Sequence, residues 1–509
     1  MPRMRKKTVL VLCATVLLMP TASLGQTDGN ADTERVIDEA LKPSPIAENL
    51  QQLTDGVGGR VPGTPAMQRA IEWGVSAFKG AGGENVHTEE FKIPASWKEG
   101  KTELVINWLD ARGRQTKSSP PSGTFSGRVV SLTWAPALPA QHHVRVVDVG
   151  NGSAEQFART QDLAGALLLV HSEEMNKWED LFAEYLKAPS IIDRTLKAKA
   201  LAIAFQSTRP NDLLYRHTNS VRGEIDRIPM VLVAREDAGR IARLLSSGHS
   251  VYADLSIPNQ IGGPITSANL VAELPGSDKA QEFVLLGAHL DSWELGTGAL
   301  DNGCNAALVV DALRAIKASG IRPRRTIRFV LFSGEEEGMI GSRAYTVAHR
   351  GELDRVVGEV VFDSGIGQVT GFSLGGRKDA LEATAPLVAP LKRFDAATLT
   401  TDATWGTDNF DFMLEGVPTF VANQVEGNYL INYHASSDTF DKVDIQQLKK
   451  HVAEAAGLVV ALANAPDRIA KRLNHAEIEQ TMRETHLDDQ LKTFGIWEDW
   501  QKGTRGRKD

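Results

Sequence analysis

The 509-residue sequence has very little cysteine, with only Cys13 and Cys304. Cys13 lies in a predicted signal peptide, residues 1–25, where the basic segment Arg3–Lys7 precedes the apolar segment Thr8–Met19. It does not suit a lipid anchor, because the small residues of a lipobox do not precede it. After cleavage Cys304 stands alone, which excludes an intrachain disulfide. The mature chain must therefore be stabilised by burial, and about 480 residues can bury a large core.

Long apolar runs and an excess of positive charge are also missing. No stretch of roughly 18 apolar residues follows the signal peptide, so no membrane-spanning helix is predicted. The formal net charge is -8 and the pI is near 5.9, which argues against nucleic acid or an anionic membrane as a partner. Internal repeats and extended low-complexity tracts are absent. These features predict a soluble, exported protein that is secreted or periplasmic.

Strand and helix patterns alternate between residues 283 and 342. Apolar runs at Phe283–Gly287 and Ile327–Phe332 are typical of buried strands, and Ala306–Ile316 is typical of a helix. Further strands are predicted at Val356–Phe362 and Val417–Val421. This order predicts an α/β fold with a mixed, mostly parallel sheet flanked by helices. Ligands bind beyond the carboxyl ends of the strands in such sheets.

Chemically active side chains follow these strands. The candidate metal ligands are two histidines and three carboxylates in strand-end or loop positions, namely His289, Asp301, Glu336, Asp363 and His434. This mixture of nitrogen and oxygen donors suits zinc, and a hydrolytic two-metal site needs about this number of ligands. The neighbouring Glu335 can stay unligated as a general base. Asp291, two residues after His289, can accept the second imidazole N–H.

Each residue has an ordinary explanation when it is considered alone. A single strand-end histidine usually lies in a loop or core, and Glu335–Glu337 alone would usually form a solvated acidic turn. The segment Gly371–Gly375 (GFSLG) also matches a serine-hydrolase elbow, with Asp402, Asp408 and His434 downstream. However, the predicted strand there runs into more glycine rather than a helix. The joint placement of five ligand-type groups favours the metal site.

A change in sequence character divides the chain. Turn residues between Ser118 and Gly127 suggest a boundary, after which short β-type runs predominate until residue 258. Residues 123–258 are predicted to be an inserted β-rich domain that interrupts an α/β domain made of residues 32–122 and 259–475. The insert's histidines (His142, His143, His171 and His217) lack ligand-like spacing and are predicted to be solvated. The charged tail, residues 476–509, is predicted to be frayed.

Four blocks carry a resemblance to a known family. They read HLDSWELGTGALDNG, SGEEEGMIGS, FDSGIG and YHASSDTFDKV, and they resemble the signature blocks of the di-zinc exopeptidases of the MH clan. The segments RVPGTPAMQRAI and VHTEEFKIPASWKEG are similar to the plasma glutamate carboxypeptidase branch of that family. The insert resembles a protease-associated domain. Together these resemblances cover nearly the whole mature chain.

The resemblance implies a role for each matching residue. Asp301 would bridge two zinc ions, with His289 and Asp363 completing one site and Glu336 and His434 the other. Glu335 would be the general base and Asp291 the partner of His289. A cis peptide bond after Asp301 is also implied. Asp408 falls in a further block whose role the resemblance does not fix.

The implied activity is hydrolysis of dipeptides or short peptides by a metal-activated water. The resemblance does not choose between aminopeptidase, carboxypeptidase and dipeptidase, and it leaves the assembly state open, a homodimer included. One alternative is a single-zinc acyltransferase of the glutaminyl-cyclase type on the same fold. Another is a catalytically dead binding protein, although such relatives usually lack ligands or the base.

Overall fold

The computed structural model describes residues 26–110 and 120–508. Within these ranges one of two eight-stranded sheets carries the central parallel strands. Four central strands run parallel and hold the order Arg325–Phe332, Lys279–His289, Val356–Val361 and Thr419–Gln424. Antiparallel strands Ile265–Leu274 and Glu84–Ile93 extend one side, and Val369–Ser373 with Thr398–Thr400 extend the other. We call this the main sheet. The mixed, mostly parallel sheet predicted from sequence is confirmed.

Helices cover both faces of the main sheet. The central strands are almost entirely buried, as expected when parallel strands are covered on both sides. Helices Cys304–Ala318 and Ile445–Asn464 pack against one face and share its largest apolar core. Asp444 caps the second of these helices by accepting the backbone N–H groups of Gln446 and Gln447. The remaining helices of this domain before residue 465 are Gln26–Ala40, Ile46–Gln51, Pro65–Gly80, Ile340–Ala348, Leu381–Val388, Asn409–Leu414 and Tyr429–Asn432, with a π-helical turn at Gln52–Val57.

A second eight-stranded sheet belongs to the insert. Its strand order is Gly123–Gly127, Glu103–Leu109, Ser250–Ile257, Leu138–Asp148, Leu167–Val170, Ala202–Gln206, Met230–Val233 and Val129–Ser131. Helices Ala154–Arg159, Trp178–Lys197 and Arg235–Ser246 accompany it. The insert has two apolar cores of its own. Its resemblance to a protease-associated domain stays a prediction.

The predicted boundary at residue 123 is wrong. Strand Glu103–Leu109 pairs with Ser250–Ile257 and with Gly123–Gly127, so it belongs to the insert rather than to the main domain. Just before and after the insert, Ser96–Lys98 pairs with Gln260–Gly262 in a two-stranded ribbon. We call this ribbon the neck. The insert therefore begins near residue 100. The boundary predicted from sequence was too late, because an alternating pattern identifies a strand but not the sheet that the strand joins.

The predicted frayed tail is also wrong. Helices His475–Glu484, Leu487–Thr493 and Ile496–Gln501 pack on helix Asn409–Leu414 and bury a separate apolar cluster. Trp500 is fully buried, and Arg505 pairs with buried Asp411 at 2.7 Å. The charged residues cover the outer face of these helices. The high proportion of charge in the segment therefore concealed the regular spacing of its apolar residues.

The predicted signal peptide, residues 1–25, lies outside the described residues. Within the part of the chain that is described, no helix combines the length and the apolar character needed to cross a bilayer.

Candidate metal centre

The carboxyl ends of the central strands bring the candidate residues together. His289 ends strand Lys279–His289, Asp363 follows strand Val356–Val361, and Glu335 and Glu336 follow strand Arg325–Phe332. These strands are parallel neighbours, so their ends meet at one edge of the main sheet. His434 arrives from the loop after helix Tyr429–Asn432.

The two histidines face the same carboxylate from different sides. His289 Nε2 lies 3.2 Å from Asp301 Oδ1 and 3.0 Å from Asp363 Oδ1. His434 Nε2 lies 3.2 Å from Asp301 Oδ2 and 2.9 Å from Glu336 Oε2. Each oxygen of Asp301 therefore faces a different imidazole, which is the arrangement that a bridging carboxylate needs. The structure places all five candidate ligands in one cluster.

The donor atoms fit zinc in two respects: their separations, and the presence of buried carboxylate oxygens without a hydrogen-bond partner. Two ligands of a tetrahedral zinc ion lie about 3.3 Å apart, which is close to the observed separations. Asp301 Oδ2 and Glu336 Oε1 are buried and accept no hydrogen bond from any described residue. Buried carboxylate oxygens without a partner are costly, and a cation would satisfy them.

The shifted pKa values of the clustered side chains also favour a bound cation. Burial raises the pKa of Glu336 to about 7, against the effect of His434. Burial lowers the pKa of His434, but the charges of Glu336 and Asp301 and the hydrogen bonds to them together outweigh burial, so the pKa rises to about 9. Burial raises the pKa of Glu335 well above its ordinary value, and the Asp363 charge adds to the rise. A divalent cation would remove this conflict, because it stabilises charged carboxylates and neutral imidazoles.

Asp291 has a different contact from the predicted one. His289 Nδ1 lies 3.1 Å from the backbone carbonyl of Asp291, whereas the nearest carboxylate oxygen is 3.7 Å away. The carboxylate accepts the backbone N–H groups of Glu335 at 3.4 Å and Glu336 at 3.2 Å. The Asp291 backbone thus orients the imidazole, and its side chain positions the two glutamates.

Sequence reasoning missed two residues that position the Asp301 loop. The Asp438 carboxylate accepts the backbone N–H groups of Ala299, Leu300 and Asp301 at 2.6–3.1 Å. The buried Arg60 guanidinium donates to the carbonyls of residues 290, 297 and 298. Both residues lie in quoted blocks, Asp438 in YHASSDTFDKV and Arg60 in RVPGTP, but neither carries a ligand-type signal.

Two further expectations concern the same loop and the helix behind it. The peptide bond between Asp301 and Asn302 is cis, as the family resemblance implied. Asp408 is buried at the start of helix Asn409–Leu414, and burial raises its pKa to about 8. Its carboxylate oxygens accept no hydrogen bond from described residues.

A cavity of about 560 Å³ opens over the cluster. Asp301, Glu335, Glu336, Asp363 and His434 line its floor. Helix Trp178–Lys197 of the insert forms a roof and contributes four apolar or aromatic side chains, Trp178, Leu181, Phe182 and Tyr185. The insert therefore contacts the space where a substrate would bind.

The serine-hydrolase alternative fails on geometry. Ser373 donates its hydroxyl to the backbone carbonyl of Asp402 at 2.6 Å, and no histidine in the described ranges accepts it. His434 directs Nε2 toward Asp301 and Glu336 and Nδ1 toward the carbonyl of Arg216. Neither nitrogen is left for a serine.

One of the four predicted solvated histidines is buried. His217 is only 5% exposed, its ring lies 4.5 Å from that of Tyr185, and burial lowers its pKa. The other three, His142, His143 and His171, are partly or fully exposed.

Comparisons with known proteins address the identity of this site. Residues 269–459 match the model of peptidase family M28, and this segment contains the whole cluster. Carboxypeptidase Q of Mus musculus is 27% identical over 421 residues, which cover 81% of this chain and 84% of the relative. The chain therefore contains a peptidase family M28 match at residues 269–459, the segment that holds the cluster. It is a hydrolase of the metallopeptidase class.

Solved structures of the M28 fold extend the similarity to the insert. A peptidase M28 precursor from Shewanella amazonensis SB2B superposes with a TM-score of 0.77 at 24% identity, covering 88% of this chain and 99% of its own. A zinc aminopeptidase from Bacillus subtilis superposes with a TM-score of 0.60 at 19% identity, with coverages of 81% and 93%. These two likenesses concern the fold alone.

Proposed function

We propose that the protein is an exported zinc exopeptidase that hydrolyses dipeptides or short peptides. The convergence of His289, Asp301, Glu336, Asp363 and His434 on one cavity, with Glu335 beside them, carries this proposal. Two zinc ions, if bound by these residues, would polarise the scissile carbonyl and make water a better nucleophile. The zinc aminopeptidase of Bacillus subtilis, with the same fold, supports the choice of metal.

Glu335 is the proposed general base. Its Oε2 lies 4.0 Å from His289 Nε2, farther than the closest carboxylate contacts of the histidines, and its side chain is 10% exposed. It would accept a proton from the attacking water and deliver that proton to the nitrogen of the leaving amine.

The charge of the cavity supports cleavage next to a free amino terminus. Among the described residues that line it, none is lysine or arginine, whereas Glu179 and Asp402 add exposed carboxylates. A substrate ammonium group is attracted by such a surface, and a terminal carboxylate would find no lysine or arginine among these lining residues. We therefore propose an aminopeptidase or dipeptidase rather than a strict carboxypeptidase.

Blocked dipeptides test both levels of this proposal. A free apolar dipeptide, its N-acetyl form and its C-terminal amide are assayed with and without chelator. We expect the amide to be cleaved and the acetyl form to lose about 10- to 150-fold in kcat/KM, because a hydrogen bond to a charged group is lost. Preference for the acetyl form would overturn the aminopeptidase assignment. Activity that resists a chelator would overturn the metallopeptidase mechanism.

The same purified protein and dipeptides also test the two alternative functions, a single-zinc acyltransferase and a catalytically dead binding protein. A single-zinc acyltransferase would bind one ion per chain and release cyclised products, which elemental analysis and mass spectrometry detect. A dead binding protein would bind peptide without releasing any product.

A further inference from the structure

The backbone around His434 is paired with the insert. His434 Nδ1 lies 3.1 Å from the carbonyl of Arg216, and the N–H of Arg216 donates to the carbonyl of His434 at 2.9 Å. One step along, the N–H of Ser436 donates to the carbonyl of Leu214 at 3.1 Å. The two segments thus form a short antiparallel bridge between the insert and the loop that carries His434.

His434 needs this support, because its backbone is in the left-handed region with φ at 57°. This conformation costs free energy in a non-glycine residue, and the residue keeps it only when the surrounding contacts stabilise it. The hydrogen bond at Nδ1 also fixes which imidazole nitrogen is free to bind a metal. The partner that fixes it is a backbone carbonyl of the insert.

The side chain of Arg216 holds that carbonyl in place. It is 2% exposed, and its guanidinium donates to Glu294, to Glu99 and to the carbonyl of Ser131. Glu99 follows the neck, Ser131 lies on a strand of the second sheet, and Glu294 lies in the loop that follows His289. One buried cation therefore joins the neck, the insert and the metal loop.

We propose that Arg216 is a positioning residue for the metal ligand His434, so that the insert completes the metal centre as well as covering it. This inference rests on the proposed metallopeptidase function. Groups that hydrogen-bond to metal ligands typically contribute 10- to 100-fold to metal affinity. We expect a loss in this range, at the ion that His434 and Glu336 would hold, when the Arg216 side chain is removed.

The test compares Arg216→Met, Arg216→Lys and Arg325→Met. Arg325 is an internal control, since it is also fully buried and donates to one carboxylate and to backbone carbonyls. It lies at the start of strand Arg325–Phe332, about 20 Å from the end that leads to Glu335. Metal affinity is measured by competition with a chromogenic zinc chelator, and folding by circular dichroism and urea unfolding.

We expect Arg216→Met to retain one tightly bound ion and to bind the second 10- to 100-fold more weakly. Arg216→Lys should fall between this variant and the wild type, because one ammonium group reaches fewer acceptors. Arg325→Met should lose stability but keep the wild-type affinity for both ions. Equal affinities in the Arg216→Met, Arg325→Met and wild-type proteins would overturn the inference.

Two outcomes need separate treatment. If Arg216→Met does not fold, the unpaired Glu99 and Glu294 are neutralised in Arg216→Met/Glu99→Gln/Glu294→Gln, which should show the same weakened second ion. Wild-type affinity in this triple variant would also overturn the inference. Failure of the proposed function itself is distinguishable, because the wild-type protein would then bind no zinc or cleave no peptide.

Discussion

Replacing Glu335 by glutamine tests the mechanism most directly. Glutamine keeps the shape of the side chain but cannot accept the proton from water. The closest carboxylate contacts of the two histidines, at 2.9–3.2 Å, come from Asp301, Glu336 and Asp363, whereas Glu335 lies 4.0 Å from His289. The variant should therefore keep its bound metal. General acid–base catalysis contributes roughly 10²- to 10⁴-fold, so we expect kcat to fall by that factor, or about 3 to 5 kcal/mol in barrier height.

Glu337→Gln is the matched control. Glu337 is fully buried two residues away, and burial raises its pKa well above the ordinary value. A neutral amide suits the same burial, and Glu337 is not among the described residues that line the cavity, so kcat should stay within about tenfold of wild type.

The assay combines steady-state cleavage of a free dipeptide with elemental analysis of each variant. A Glu335→Gln protein with full metal content and kcat within tenfold of wild type would refute the role of Glu335 as base. A variant that has lost its metal would instead show that Glu335 is a ligand, as its grouping with His289 and Asp363 allows.

Three other predictions address the metal, the pH dependence and the tail. Asp301→Ala should lose bound zinc, because Asp301 faces both histidines; elemental analysis showing two ions per chain would contradict this. Burial lowers the pKa of His451 from 6.5 to about 4. Between pH 4 and pH 6.5 the His451 imidazole therefore binds a proton in the unfolded chain but not in the folded one. Stability should fall by about 2 kcal/mol from pH 7 to 5, and His451→Gln should remove that part of the slope in urea unfolding. Trp500→Ala should cost about 3 to 5 kcal/mol in the same assay, and a loss below about 1 kcal/mol would mean that the C-terminal helices contribute little.

Local sequence patterns were sufficient to predict much of the candidate metal centre. Each ligand other than Asp301 and His434 follows an apolar strand, and parallel strands place their carboxyl ends at one edge. The convergence of His289, Glu336 and Asp363 could therefore be predicted from strand patterns alone. Asp301 and His434 lie in loops, and for them the family resemblance supplied what periodicity could not.

The missed features depend on contacts that are distant in sequence. Arg216 meets His434 across 218 positions, and Asp438 meets Leu300 across 138. No local pattern distinguishes such residues from ordinary polar ones. The strand at Glu103–Leu109 was placed in the wrong domain for the same reason, since its partner at Ser250–Ile257 lies far along the chain.

The neck has a consequence for how this chain can be shortened. Its two strands lie side by side, so a brief linker from Ser96 to Gly262 could bypass everything between them without stretching the backbone. Such a deletion looks simple on a topology diagram. It would nevertheless remove Arg216 and leave the loop at residue 434 without its backbone partner. A catalytic fragment of this protein should therefore be designed to retain the insert.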